Sequence, residues 1–161
     1  MTAQSLVGYF MGRADTDSAR SVARLTCYWS LATGTALCLF MIVFRDAVAW
    51  LLVPAGAMAA FHPGWLTAAF MQPVSSLAFA TDGIHWGAGD FRYLRNAMVA
   101  AVFCGSAAVL AVEWLMPQPV LVWIWLAATL WTSVRAGFGI ARIWPGIGHA
   151  PLWRDTEGLT D

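Results

Sequence analysis

Gln72-Pro73-Val74-Ser75-Ser76-Leu77-Ala78-Phe79-Ala80-Thr81-Asp82-Gly83-Ile84-His85-Trp86-Gly87-Ala88-Gly89-Asp90-Phe91-Arg92-Tyr93 is the stretch that decides the fold. It leaves a long apolar segment, passes through glycines and charges, and enters the next apolar segment at once. That is the pattern of a membrane helix ending and the following one beginning. Gly83, Gly87 and Gly89 permit positive φ and a tight reversal, and Asp90 is placed to cap a helix starting near Phe91. Arg92 and Arg95 can meet lipid phosphates or pair with Asp82 and Asp90. Asp82, Gly83, Gly87, Gly89, Asp90 and Arg92 therefore form a candidate gate, or else a rigid cytoplasmic turn. The stretch Gly87-Ala88-Gly89-Asp90 is no dinucleotide fingerprint, since it lacks a third glycine and a preceding strand.

Outward from this turn the chain is apolar. Of its 161 residues 60% are hydrophobic and only 11% charged, with a mean hydropathy of +0.64, against about 45–50% and about 25% in soluble domains. The expected class is an all-α integral membrane protein of about four transmembrane helices plus a short N-terminal helical stub. A span needs about 20 apolar residues for a hydrocarbon core of roughly 30 Å. Four segments qualify: Leu25 to Phe44, extendable past Arg45-Asp46 to Val53; about Ala55 to Thr81; about Leu94 to Met116; and about Val120 to Ile143. His62-Pro63-Gly64 is expected to kink or break the second near its start, because proline removes a backbone donor and crowds the preceding turn. Gln72-Pro73 repeats that problem in mid-segment. Residues 1–12 read as a half-buried helix end or an interfacial segment. Residues 1–143 form one membrane domain, and 144–161, rich in Gly and Pro, a cytoplasmic tail that frays. Residues 1–12 lack the early positive charge of a signal peptide.

All nine cationic residues are arginine. Arg13, Arg20, Arg24, Arg92, Arg95, Arg142 and Arg154 fall on one side of the spans and Arg45 on the other, a strong positive-inside bias. The expectation is a multi-pass protein of the cell (inner or plasma) membrane with both termini cytoplasmic. Trp50, Trp114, Trp123 and Trp144 fall near span ends, where indole rings favour the interface.

Inside the spans, Arg135 and Gln72 are the candidate polar sites. A charge at membrane depth is costly and faces protein or water, although Arg135 and Arg142, seven apart, can also simply reach the cytoplasmic interface. Glu113 reads as interfacial, and Asp15 or Asp17 as the cap of the first span. Cys27, Cys38 and Cys104 lack metal or redox spacing and read as small buried residues. His62 is expected on the opposite side from His85 and His149, so a shared metal is not expected. No nucleophile–base pattern and no cofactor motif is visible, so neither catalysis, nor a cofactor, nor nucleic-acid binding is expected.

The turn motif itself, Gln72-Pro73 with Leu77-Ala78-Phe79, Asp82-Gly83-Ile84 and Gly87-Ala88-Gly89-Asp90-Phe91-Arg92-Tyr93, resembles the multidrug and toxic compound extrusion (MATE) family in its DinF-like branch. Ala3-Gln4-Ser5-Leu6-Val7-Gly8, Gly12-Arg13-Ala14-Asp15, Ala19 to Arg24 with Trp29, and Leu130-Trp131 with Arg135-Ala136 are similar too. The resemblance covers about residues 1–143 and matches the C-terminal part of that fold, from the end of helix eight through helix twelve. It implies export of organic cations or other amphiphiles by H⁺ or Na⁺ antiport, and cytoplasmic termini. The coupling carboxylates of the family have no counterpart in these residues, so the chain reads as truncated and not competent alone. It would work in the bilayer with another membrane subunit or as a homo-oligomer. The alternative is a non-transporting accessory subunit of a larger membrane complex such as a respiratory assembly, with Gly34, Gly105, Ala107, Ala108, Gly137 and Gly139 permitting close packing against a partner.

Overall fold

The computed structural model describes residues 2–115, 120–144 and 146–153. Those residues form six α-helices: α1 (Thr2–Gly12), α2 (Thr16–Val43), α3 (Arg45–Leu52), α4 (Met58–Gly87), α5 (Phe91–Leu115) and α6 (Val120–Ile143), with single 3-10 turns at Ala55–Ala57 and Pro151–Trp153. The all-α expectation holds, and no strand occurs among the described residues.

Helices α2, α5 and α6 are each long and apolar enough to cross a membrane. Helix α4 is the longest, at 30 residues or about 45 Å, but His62, Gln72, Ser75, Ser76, Thr81, Asp82 and His85 lower its hydropathy. Its position accounts for that composition. It packs on α2 and α6 along its length, on α1 near its end and lightly on α5, so its polar groups face protein rather than lipid. Gly64 of α4 lies against Leu121 and Trp125 of α6, and Thr81 lies against Gly139. These contacts make α4 and α6 parallel neighbours from Gly64 to Thr81 of α4, so α4 runs beside a helix that is itself long and apolar enough to cross a membrane. Gly105 of α5 meets Trp131 of α6, and the Tyr93 hydroxyl donates to the Phe138 carbonyl at 2.8 Å. Helix α5 therefore returns antiparallel to α6.

Small residues set these approaches. The buried stripe of α2 is Ala19, Ala23, Cys27, Gly34 and Cys38, and that of α5 is Leu94, Ala97, Ala101, Gly105 and Val112. Both follow helical spacing and use small side chains so that backbones come close, as helices in lipid do. Gly34, Gly105 and Gly139 were expected to serve a partner. Instead they close the α2–α4, α5–α6 and α4–α6 contacts within the chain, while Gly137 has nothing near it and Ala107 is exposed. Cys27 and Cys38 are buried as expected; Cys104 is exposed on α5, on a face that no other described helix covers.

Neither proline expected to kink or break α4 breaks it. His62-Pro63-Gly64 and Gln72-Pro73 both lie inside the continuous α4. Around them, side chains bond the helix's own carbonyls: Thr67 Oγ1 to Pro63 O at 2.9 Å, and Ser76 Oγ to Gln72 O at 2.9 Å and Pro73 O at 3.1 Å. Such side-chain bonds, with close neighbouring helices, let proline stay within a membrane helix. The first span does stop at Phe44, and the residues beyond it form the separate α3. Asp15 caps α2, its carboxylate accepting from Ser18 N at 3.0 Å.

Helix α1 is half-buried and packs on α2 and α4. Val7 is fully buried with Ala19, Ala23, Cys27, Ile84, Ile143 and Leu152. The presence of Leu152 in that group shows that the described part of the expected tail folds back onto the bundle. Trp153 Nε1 donates to the Ile143 carbonyl at 2.8 Å, and Arg20 stacks 5.0 Å from the Trp153 ring centre. Met116, the expected end of the third span, and residues 154–161, including Arg154, lie outside the described residues.

Candidate functional site

The polar residues of the bundle gather where α4 ends, α5 begins and α6 ends. Helix α4 runs on to Gly87, six residues past the expected end at Thr81, so Asp82 and Gly83 belong to the helix and not to the turn. Two more turns of helix are possible because the polar faces find partners on α6. Gly83 has nothing within contact distance, and Gly87 closes the helix against Gln4 and Val7 of α1. The reversal is confined to Ala88, Gly89 and Asp90. Gly89 has φ +71°, a conformation costly for any residue with a Cβ, and it is the glycine the turn requires.

Two Asp–Arg pairs then tie this end to α6. Asp82 and Arg135 form a direct ion pair through Arg135 Nη2, with the side chains only 12% and 13% exposed. The Arg135 guanidinium lies 4.9 Å from the Phe79 ring centre, and its Nε is buried without a partner among the described residues. About two turns further on, Arg142 grips Asp90 with both edges of its fork, Nε to Oδ2 at 2.7 Å and Nη2 to Oδ1 at 3.2 Å. Bidentate pairs of this kind fix geometry as well as adding energy. Arg142 also donates to the carbonyls of Ile147, Gly148 and His149, which anchors the segment after α6, and sits 4.6 Å from the Tyr93 ring centre.

His85 lies between the pairs. Its Nε2 is 3.2 Å from the Gly139 carbonyl, and since a carbonyl only accepts, the proton sits on Nε2. Its Nδ1 faces Asp90 Oδ2 at 3.9 Å. This proximity depends on Gly139. A Cβ there would collide with the Thr81 side chain, and α6 would be pushed away from both carboxylates.

The arginine partners differ from those expected. Arg92 and Arg95 do not pair with Asp82 or Asp90; both are exposed, and Arg95 bonds only the neighbouring Asn96 amide among the described contacts. The reason is geometry. Arg92 and Arg95 point away on the outer side of α5, whereas α6 runs parallel to α4 beside it. Arg135 and Arg142 are seven residues apart on α6, a rise of about 10 Å, and they meet Asp82 on the last turns of α4 and Asp90 in the reversal beyond it. That spacing was the available signal, and sequence reasoning missed Arg142, Tyr93 and His85. Gln72 is not part of the cluster. It bonds the Ala68 carbonyl at 3.0 Å and lines a separate cavity of about 330 Å³ with Phe61, Trp65 and Trp125. Among the described residues, no group of three His, Cys, Asp or Glu is arranged to hold a metal.

The arrangement can hold α4, α5 and α6 as one body. Both carboxylates of the cluster are neutralised by arginine, so it is a set of clasps and not an open cation site. Removing one member of such a pair leaves an uncompensated buried charge, at about 3–5 kcal/mol.

Comparison with known proteins agrees with the resemblance noted in the sequence. The MatE family model matches residues 1–115. Protein DETOXIFICATION 43 of Arabidopsis thaliana is 38% identical over 87 residues, 54% of this chain and 15% of its own length. Protein DETOXIFICATION 44, chloroplastic, of the same plant is 29% identical over 159 residues, 98% of this chain and 30% of its own. The chain thus spans less than a third of either relative. No solved structure matches it.

Proposed function

This chain belongs to the MatE family, and from that premise we propose that it forms part of a membrane exporter of organic cations or other amphiphiles driven by H⁺ or Na⁺ antiport. The observation that carries the reading is the family match over residues 1–115. Its role in the cycle is that of a rigid body. Alternating access needs two bodies that rock around a central site, and the α4–α6 bundle clasped by Asp82–Arg135 and Asp90–Arg142 supplies one. The second body is not supplied by these residues. The arginine bias supports a cell-membrane protein whose two ends face the cytoplasm, which puts the clasped end on the cytoplasmic side.

The test is efflux of a fluorescent organic cation from vesicles containing the purified chain, with an imposed H⁺ or Na⁺ gradient. Gradient-dependent efflux supports transport, and its absence under both gradients removes transport by this chain alone.

One observation favours a second reading, a non-transporting accessory subunit. Among the described residues the buried carboxylates, Asp82 and Asp90, are both taken by arginine, leaving neither free for a coupling ion. Native mass after mild extraction separates the two readings: a heteromeric complex of unrelated subunits supports the accessory role, and a homo-oligomer or a complex with a related chain supports transport.

A further inference from the structure

The outer face of α5 carries a groove of about 660 Å³ bounded by Trp86 and Phe91 at one end and Phe103 at the other, with Arg92 and Arg95 at its Trp86 end. Its walls include Met98, Val99 and Val102. From Phe91 to Phe103 is twelve residues, about 18 Å of helix, close to the half-thickness of a hydrocarbon core of roughly 30 Å. The two cations are unneutralised. Arg92 has no partner among the described residues, Arg95 reaches only the neutral Asn96 amide, and both acidic groups nearby, Asp82 and Asp90, are held by Arg135 and Arg142. Two guanidiniums without a counter-ion at the end of a one-leaflet-long apolar groove, on a helix long and apolar enough to cross a membrane, match a phosphate with a fatty chain attached.

We propose that this groove is a binding site for an anionic phospholipid, its phosphate between Arg92 and Arg95 and one acyl chain along Met98, Val99 and Val102 toward Phe103. Arginine suits the phosphate because its fork donates two parallel hydrogen bonds to it. The ion pairs within the bundle create the site indirectly. By taking Asp82 and Asp90 out of reach, they leave Arg92 and Arg95 without an internal counter-ion. The site does not depend on transport and is expected in either functional reading.

The experiment is a thermal-shift titration of the delipidated full chain in neutral detergent with dioleoylphosphatidylglycerol, and with dioleoylphosphatidylcholine and glycerol 3-phosphate as comparisons. Saturable stabilisation by phosphatidylglycerol near one lipid per chain, with little from the other two, is expected. Arg92→Gln/Arg95→Gln should weaken it by about 30-fold, equivalent to about 1 kcal/mol per arginine. Arg13→Gln/Arg24→Gln removes the same charge from the same end outside the groove and should change it less than threefold. Equal weakening in both double variants would mean general surface charge and overturn the site. Equal stabilisation by glycerol 3-phosphate would mean a soluble-anion site, and equal stabilisation by phosphatidylcholine a non-selective apolar groove; either overturns the proposal.

Discussion

The two ends of the bundle are built differently. At the end where α4 meets α5, Asp82, Asp90, Arg135 and Arg142 join elements more than fifty residues apart, and Leu152 and Trp153 fold over the result. At the opposite end, among the described residues, the charged pair is Arg45–Asp46, adjacent residues on the short exposed α3, and the long-range polar bond is Trp65 Nε1 to Met41 O at 2.7 Å. Trp50, Leu51 and Leu52 there are 84%, 69% and 71% exposed. The first end is cross-linked by buried charge; among the described residues the second rests on apolar contact and the Trp65 indole bond. A buried pair resists separation because neither charge tolerates being left alone in a poor solvent, whereas adjacent surface charges constrain nothing beyond themselves. The comparison teaches that local opening is to be expected first at the α3 end, where fewer buried contacts hold the described residues.

The largest effect expected is from Arg142→Ala. It strands Asp90 and releases the carbonyls of Ile147, Gly148 and His149, so a loss of about 3–5 kcal/mol is expected, read as a lowered unfolding midpoint in detergent together with protease cleavage after Ile143. A loss below about 1 kcal/mol would break the contrast between the ends.

The second pair sharpens it. Asp82→Asn and Arg135→Gln should each destabilise by about 3 kcal/mol, and the double variant by less than either, because the two neutral groups no longer leave a buried charge. Additive losses in that cycle would mean that the pair is not coupled.

At the other end, Trp65→Phe should cost about 1 kcal/mol, one net hydrogen bond. Asp46→Asn should leave the unfolding midpoint unchanged, and a resolvable fall would show that α3 is anchored after all.

The smallest effect concerns the cap of α2. The hydrogen bonds from Ser18 hold the Asp15 carboxyl below its ordinary range. A depressed folded value means that the cap stabilises above the unfolded carboxylate range and is lost as pH falls through the lower folded value. Amide exchange at residues 16–18 should therefore speed up only in that acid window, and Asp15→Ala should abolish the pH step.

How much of this was legible along the chain follows from separation in sequence. Four long helices, a glycine-containing turn before Phe91 and an aspartate cap at position 15 or 17 were readable, since hydropathy, φ preference and capping act over a few residues. The boundary at Gly87 was not. Asp82 and His85 look like loop residues until α6 supplies Arg135 and the Gly139 carbonyl. Arg92 looked like the partner of Asp90 because it is two residues away, yet the backbone aims it outward.

Residues 1–153 by themselves determined that the chain lies in a membrane, where its helices run, and which family it belongs to, because apolar length and local motif are properties of contiguous sequence. Only the tertiary structure decided which arginine meets which aspartate, that α4 rather than a more apolar helix lies at the centre, and that residues 146–153 close over the bundle. Those outcomes depend on the register between neighbouring helices, set by where glycines such as Gly34 and Gly139 let helices come close, and no single segment encodes that distance.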